Sequence, residues 1–108
     1  MSETSTHMVL STAPDVDVAR EIACTVVKAR LAACVHLVEG MYSVYSWQDS
    51  LQQDEEVLMF MKTTACRLPQ LIDAIVECHP YECPEVVAVP IMDGHQPYLD
   101  WVSETVAS

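Results

Sequence analysis

A chain of 108 residues has room for one domain. Its net charge of −11, sixteen acidic residues against five basic ones, leaves no basic stripe with which to hold nucleic acid or an anionic membrane. Apolar residues make up 51% of the chain, more than so short a polypeptide can cover, because it buries only roughly two-thirds of the surface exposed when unfolded.

Part of that apolar content is therefore expected to face another subunit. No apolar run is long enough to span a bilayer and the N-terminus lacks a basic and apolar signal pattern, so the expected location is cytoplasmic. The five cysteines, at positions 24, 34, 66, 78 and 83, are odd in number and lack CxxC spacing. Most are expected to be small, reduced core residues, with Cys78 and Cys83 set apart by their surroundings.

Met1 to Thr6 is small and polar and expected to fray. His7 to Leu10 reads as a short strand running into a strand-to-helix junction. Asp15 caps that helix directly, or Thr12 caps it with Asp15 completing a capping box. Val18, Ile22, Ala23, Val26 and Ala29 repeat at three and four, which predicts an amphipathic helix to about Arg30.

Ala33 to Val38 reads as the second strand, bulged at Gly40 and resumed from Met41 to Trp47. Gln48, Asp49 and Ser50 turn the chain, and Leu51 to Lys62 returns, polar in its first half and apolar in its second. Twelve strand residues at about 3.4 Å each reach roughly 40 Å, beyond the diameter of about 35 Å for a domain of this size. The hairpin should overhang, and its Tyr42, Val44, Tyr45, Trp47 and Leu51 call for cover by partner subunits.

Leu68, Leu71, Ile72, Ile75 and Val76 then repeat with helical spacing, with Pro69 in the first turn, to an end at Cys78 and His79. Pro80 and Pro84 force an extended connection that carries His79, Tyr81, Glu82, Cys83 and Glu85. Val86 to Ile91 reads as a strand covered on both faces, although Pro90 demands a free side, a bulge or a bend. Asp93 and Gly94 turn, and Pro97 opens a terminal helix whose Tyr98, Trp101, Val102 and Val106 form a docking face. The order βαββαβ plus a C-terminal helix predicts an α+β, ferredoxin-like sandwich with a long hairpin between its second and third strands, and both main helices on one sheet face.

Cys78 and His79 offer thiolate and imidazole, donors suited to copper or zinc, with Glu85, Glu82 or Cys83 nearest as a third. The competing reading packs Cys78 inward and bonds His79 to a carboxylate such as Glu85. Lys62, Glu56, His79, Tyr81 and Glu85 resemble an acid and base set, but nothing designates a nucleophile and Ser11 has no partner histidine in sequence. A network fixing subunit register is the preferred account, and no enzyme is expected. Lys62-Thr63-Thr64 lacks the glycines of a phosphate loop. Asp54 to Glu56 reads as a solvated strand tip, and His36 as an ordinary sheet residue.

STAPD at 11–15, ARLAACVHL at 29–37, Tyr45 with Trp47, Glu56 ahead of Lys62-Thr63-Thr64, HPYECPE at 79–85 and Tyr98 to Trp101 occur together in one order. In this the chain resembles the CutA family of divalent-cation tolerance proteins. The resemblance implies a trimeric ferredoxin-like fold, cytosolic in bacteria, linked to copper and heavy-metal tolerance and similar in architecture to the PII signalling proteins. Some members carry Cys at the position of Ser11 and a second His at that of Cys78, and Asp49 stands where a turn Gly is usual. The expected function is a homotrimer that binds divalent cations and above all copper, divalent or monovalent, through His79, Cys78 and Glu85. The alternative is a PII-like signalling or scaffold module holding a small ligand or partner in inter-subunit clefts lined from Ser11, Tyr45, Trp47, Glu56, Lys62, Tyr81 and Trp101.

Overall fold

Seven elements form in the order that the hydrophobic pattern sets out: β1 (Thr6–Ala13), α1 (Val16–Lys28), β2 (Cys34–Trp47), β3 (Ser50–Thr64), α2 (Leu68–Cys78), β4 (Val86–Pro90) and α3 (Gln96–Val106). The computed structural model describes residues 4–107, so fraying of Met1 to Glu3 lies outside the described residues. Thr6, expected to fray with them, is instead buried and paired with Thr64.

The strands make one antiparallel sheet in the order β2-β3-β1-β4. Period-two alternation puts Val9, Met59 and Met61 on one face, where they meet Ile22 and Val26 of α1 and Leu71 and Ile75 of α2 in the main core. Both main helices thus lie on the same face. Asp15 rather than Thr12 caps α1, its Oδ1 accepting the Val18 N–H at 2.9 Å. The helix stops at Lys28, ahead of Arg30, because Arg30 takes a left-handed φ of 58° that turns Leu31 and Ala32 back onto the Val26 carbonyl. On α3, Val102 and Val106 close a small second cluster with Ala33, and Arg67 Nε donates to the Val106 carbonyl at 2.8 Å.

Strands β2 and β3, of 14 and 15 residues, form the long hairpin. Gln48 and Asp49 both take left-handed φ, 53° and 62°, so the turn has two residues and Ser50 already pairs with Trp47. Asp is tolerated here because its short polar side chain visits that region more readily than most. The register slips between Val38 and Met41 around Gly40, whose φ is 81°, as expected of a bulge. The result is a body of 43 × 25 × 22 Å with Tyr42, Val44 and Leu51 in solvent.

Two further expectations fail. Strand β4 is covered on one face only: Val86 and Ala88 pack on the core, while Val87 and Val89 remain 49% and 41% exposed, because among the described residues no helix covers that end of the opposite face. It pairs only with β1, which supplies the free side that Pro90 requires. The cysteines are not core residues either. Cys34 is half-buried and the other four are exposed, on the outer side of α1, in a turn, at the end of α2 and in the following loop.

Replacing the buried Ile75 by alanine should cost about 2–5 kcal/mol, through lost transfer energy and the cavity left behind. Asp15→Ala should cost about 1 kcal/mol, through the lost cap alone. Urea unfolding of both variants checks the pair, and the core variant must lose the more.

Candidate functional site

The geometry of the site begins with the end of α2. Pro80 holds His79 in extended geometry, with ψ at 137°, which turns its ring inward until the residue is 8% exposed. Nε2 donates to the Thr12 carbonyl at 2.6 Å and Nδ1 accepts the Tyr81 N–H at 3.1 Å. That pattern assigns the proton to Nε2 and engages both nitrogens of the ring. The partner is therefore a backbone carbonyl, not a carboxylate such as Glu85, which the competing reading of the sequence assigns to it. The backbone of Glu85 is itself tied down, its carbonyl accepting from Ser11 Oγ at 2.6 Å. Two bonds to β1 thus staple the connection between α2 and β4.

Tyr81 stacks at a tilt on His79, 4.7 Å between centroids, and reaches out to donate to Glu56 Oε2 at 2.9 Å. Burial, then the bond to Glu56, hold its phenol well above the usual tyrosine range. On the hairpin, Tyr45 lies opposite Gln52 and diagonal to Asp54, and donates to Asp54 Oδ2 at 2.6 Å. That bond, more than burial, raises its phenol in turn.

Between loop and hairpin, beside the end of β1, opens a cleft of about 880 Å³. Ser43, Tyr45 and Trp47 of β2 and Asp54, Glu55 and Glu56 of β3 form one side, and Tyr81, Glu82, Cys83 and Glu85 the other. Among the described residues five carboxylates face it, and no lysine or arginine lines it. The run Asp54 to Glu56, expected to be a solvated tip, is a cleft wall, and Glu56 is buried.

Of the cleft residues expected from sequence, Tyr45, Trp47, Glu56 and Tyr81 come together here, along with Glu85. Ser11 is fully buried under the loop rather than lining the cleft. Lys62 stands elsewhere, its Nζ 5.3 Å from the Phe60 ring centroid and 5.8 Å from that of Tyr98, so it does not join Glu56 and Tyr81 within the chain. Trp101 packs beside Tyr98 at 5.6 Å. Cys78 points outward, not into the core. Asp54 was missed as a partner, although a two-residue turn fixes the register that sets it diagonal to Tyr45.

As a metal centre the arrangement is only half-built. Carboxylates are the donors that hard divalent cations take, but among the described residues no three of His, Cys, Asp or Glu converge to hold an ion. His79, moreover, would have to release the Tyr81 N–H from Nδ1, or the Thr12 carbonyl from Nε2, before ligating.

Residues 7–105 match the family model described as CutA1 divalent ion tolerance protein. The chain is 46% identical over 98 residues to the divalent-cation tolerance protein CutA of Thermus thermophilus, covering 91% of this chain and 95% of that one. It is 45% identical over 97 residues to human protein CutA, covering 90% of this chain and 54% of the human protein. The crystal structure of CutA from Xylella fastidiosa superposes with a TM-score of 0.93 at 33% identity, over 95% of this chain and 99% of that one.

Tyr81 generates a pH test. Unfolded, its phenol ionises near pH 10; folded, it holds its proton to higher pH. Its contribution is therefore complete below about pH 10 and is lost as pH rises through the folded value, since the unfolded chain then binds fewer protons. Urea unfolding from pH 9 upward should show stability falling with a slope that is shallower in Tyr81→Phe. Identical slopes would contradict the assigned bond.

Proposed function

The chain belongs to the CutA1 divalent ion tolerance family, and from that premise we propose that it works as a non-catalytic homotrimer that gathers divalent cations, copper among them, at its acidic cleft. The observation that carries the reading is the cleft's charge: Asp54, Glu55, Glu56, Glu82 and Glu85 face one space with no basic side chain in its lining. A divalent ion about 4 Å from a carboxylate in a water-like medium gains on the order of 2 kcal/mol from each, before salt screens it. The site is thus weak and salt-sensitive rather than a closed cage. The cation belongs with these carboxylates, with Cys83 at the rim, and not with Cys78 and His79, because both His79 nitrogens are engaged in holding the loop.

The apolar ribbon supports assembly. Tyr42, Val44, Trp47 and Leu51 on the hairpin, with Val87 and Val89 on the sheet, leave more greasy surface in water than a lone small domain tolerates. Neighbouring copies are the economical cover, and three is the number that the family likeness implies.

Calorimetric titration with copper(II) and with manganese(II) checks the cleft. Neutralising Asp54, Glu82 and Glu85 together, as Asn and Gln, should weaken binding about tenfold or more, while Cys78→Ser leaves it within twofold. Equal affinity in the neutralised variant would remove the cation from the cleft. Sedimentation equilibrium checks the assembly: the expected mass is three chains of 12.0 kDa each, and a stable single-chain species at micromolar concentration would overturn it.

A further inference from the structure

Where β2 begins, away from the cleft, a second group of chemically able side chains sits together. Cys34 and His36 are two apart on β2 and so share a face. Their strand partners on β3 are Lys62 and Phe60, and α3 brings Tyr98 against them. Cys34 Sγ lies 3.9 Å from His36 Nε2 and 3.3 Å from Tyr98 Oη. The His36 ring rests on Phe60, 4.9 Å between centroids, which holds its direction. Within the single chain His36 and Tyr98 are exposed and Cys34 is half-buried.

The spacing decides what fits between sulfur and nitrogen. Metal–thiolate and metal–imidazole bonds to a zinc-sized ion run about 2.3 Å and about 2.0 Å, so one ion can touch two donors up to about 4.3 Å apart. At 3.9 Å the pair needs no backbone movement to do so. Tyr98 Oη, 3.3 Å from the sulfur, is placed to hydrogen-bond it rather than to serve as a third ligand. Charge selects the ion. The Lys62 ammonium is close by over the Phe60 and Tyr98 rings, and no carboxylate joins the cluster among the described residues. A thiolate with a monovalent cation is neutral beside that ammonium, whereas a divalent one leaves two positive charges facing each other. Soft donors and low coordination number suit copper(I).

We propose that Cys34 Sγ and His36 Nε2 form a two-donor site for a soft monovalent metal ion, copper(I), distinct from the cleft in place and in chemistry. On binding, the S–H bond gives way to an S–metal bond and one proton passes to solvent. The remaining position on the ion is open to an exchangeable donor. Neither residue lines the cleft, so the two assignments stand or fall separately.

The test uses the full chain carrying Cys24→Ser, Cys66→Ser, Cys78→Ser and Cys83→Ser, all exposed positions, titrated anaerobically with copper(I) buffered by bicinchoninate. About one ion per chain should remain bound. Adding Cys34→Ser should abolish it, and adding His36→Ala instead should weaken it about tenfold or more. X-ray absorption on the copper-loaded four-serine chain should show one sulfur and at least one imidazole nitrogen, which decides the matter even if the Cys34 variant fails to fold. Loss of the ion in the four-serine chain, its retention without Cys34, or a shell without imidazole overturns the proposal. Manganese(II) titration of the cleft should be unchanged by Cys34→Ser in every case.

Discussion

One imidazole sets the geometry of the cleft. His79 spans two stretches of backbone, donating to the Thr12 carbonyl at the end of β1 and accepting the Tyr81 N–H from its own loop. Buried between them, it supplies partners for one donor and one acceptor that would otherwise be desolvated without compensation. Only in the neutral ring with its proton on Nε2 do both bonds form. Tyr81 is thereby aimed at Glu56, and the carboxylates of loop and hairpin face one space instead of diverging into solvent.

The same arrangement explains why acidic groups are tolerated there. Two of the carboxylates accept from phenols, Glu56 from Tyr81 and Asp54 from Tyr45, and both phenols hold their protons more firmly, Tyr81 through burial and then its bond, Tyr45 chiefly through its bond. A hydroxyl donor lowers the cost of a buried carboxylate without adding a positive charge that would compete with a cation. Chemistry is thus divided along β3. Its outer part presents oxygen donors with negative charge, and its inner part presents Lys62 beside the thiol and imidazole of β2. The hairpin keeps the two environments apart by its length, and its outer part carries Tyr42, Val44 and Leu51 into solvent.

Much of this was legible in the order of residues. The spacing of Val18, Ile22 and Val26 and of Leu68, Leu71 and Ile75, the bulge at Gly40, the stop at Pro80 and the overlong third strand each rest on local stereochemistry, which acts over a few residues wherever the chain goes. So the element order, the sheet they build and the overhang could be read before any coordinates. The tyrosine and glutamate members of the cleft could be named as well.

Partnership could not be read, because it depends on which distant segments meet. Cys34 looks like another small apolar core residue until α3 brings Tyr98 to it from 64 positions away. Lys62, grouped with Glu56 by its acid and base chemistry, is six residues along the strand and reaches the Phe60 and Tyr98 rings instead. His79, a ligand by residue type, proves to be bonded on both nitrogens because β1 ends beside it. Sequence determined the elements, since backbone sterics and apolar period are local properties. Tertiary structure alone decided which donors are open and which are already bonded, since a hydrogen bond forms or fails within a few tenths of an ångström, and only the folded sheet fixes distances that finely.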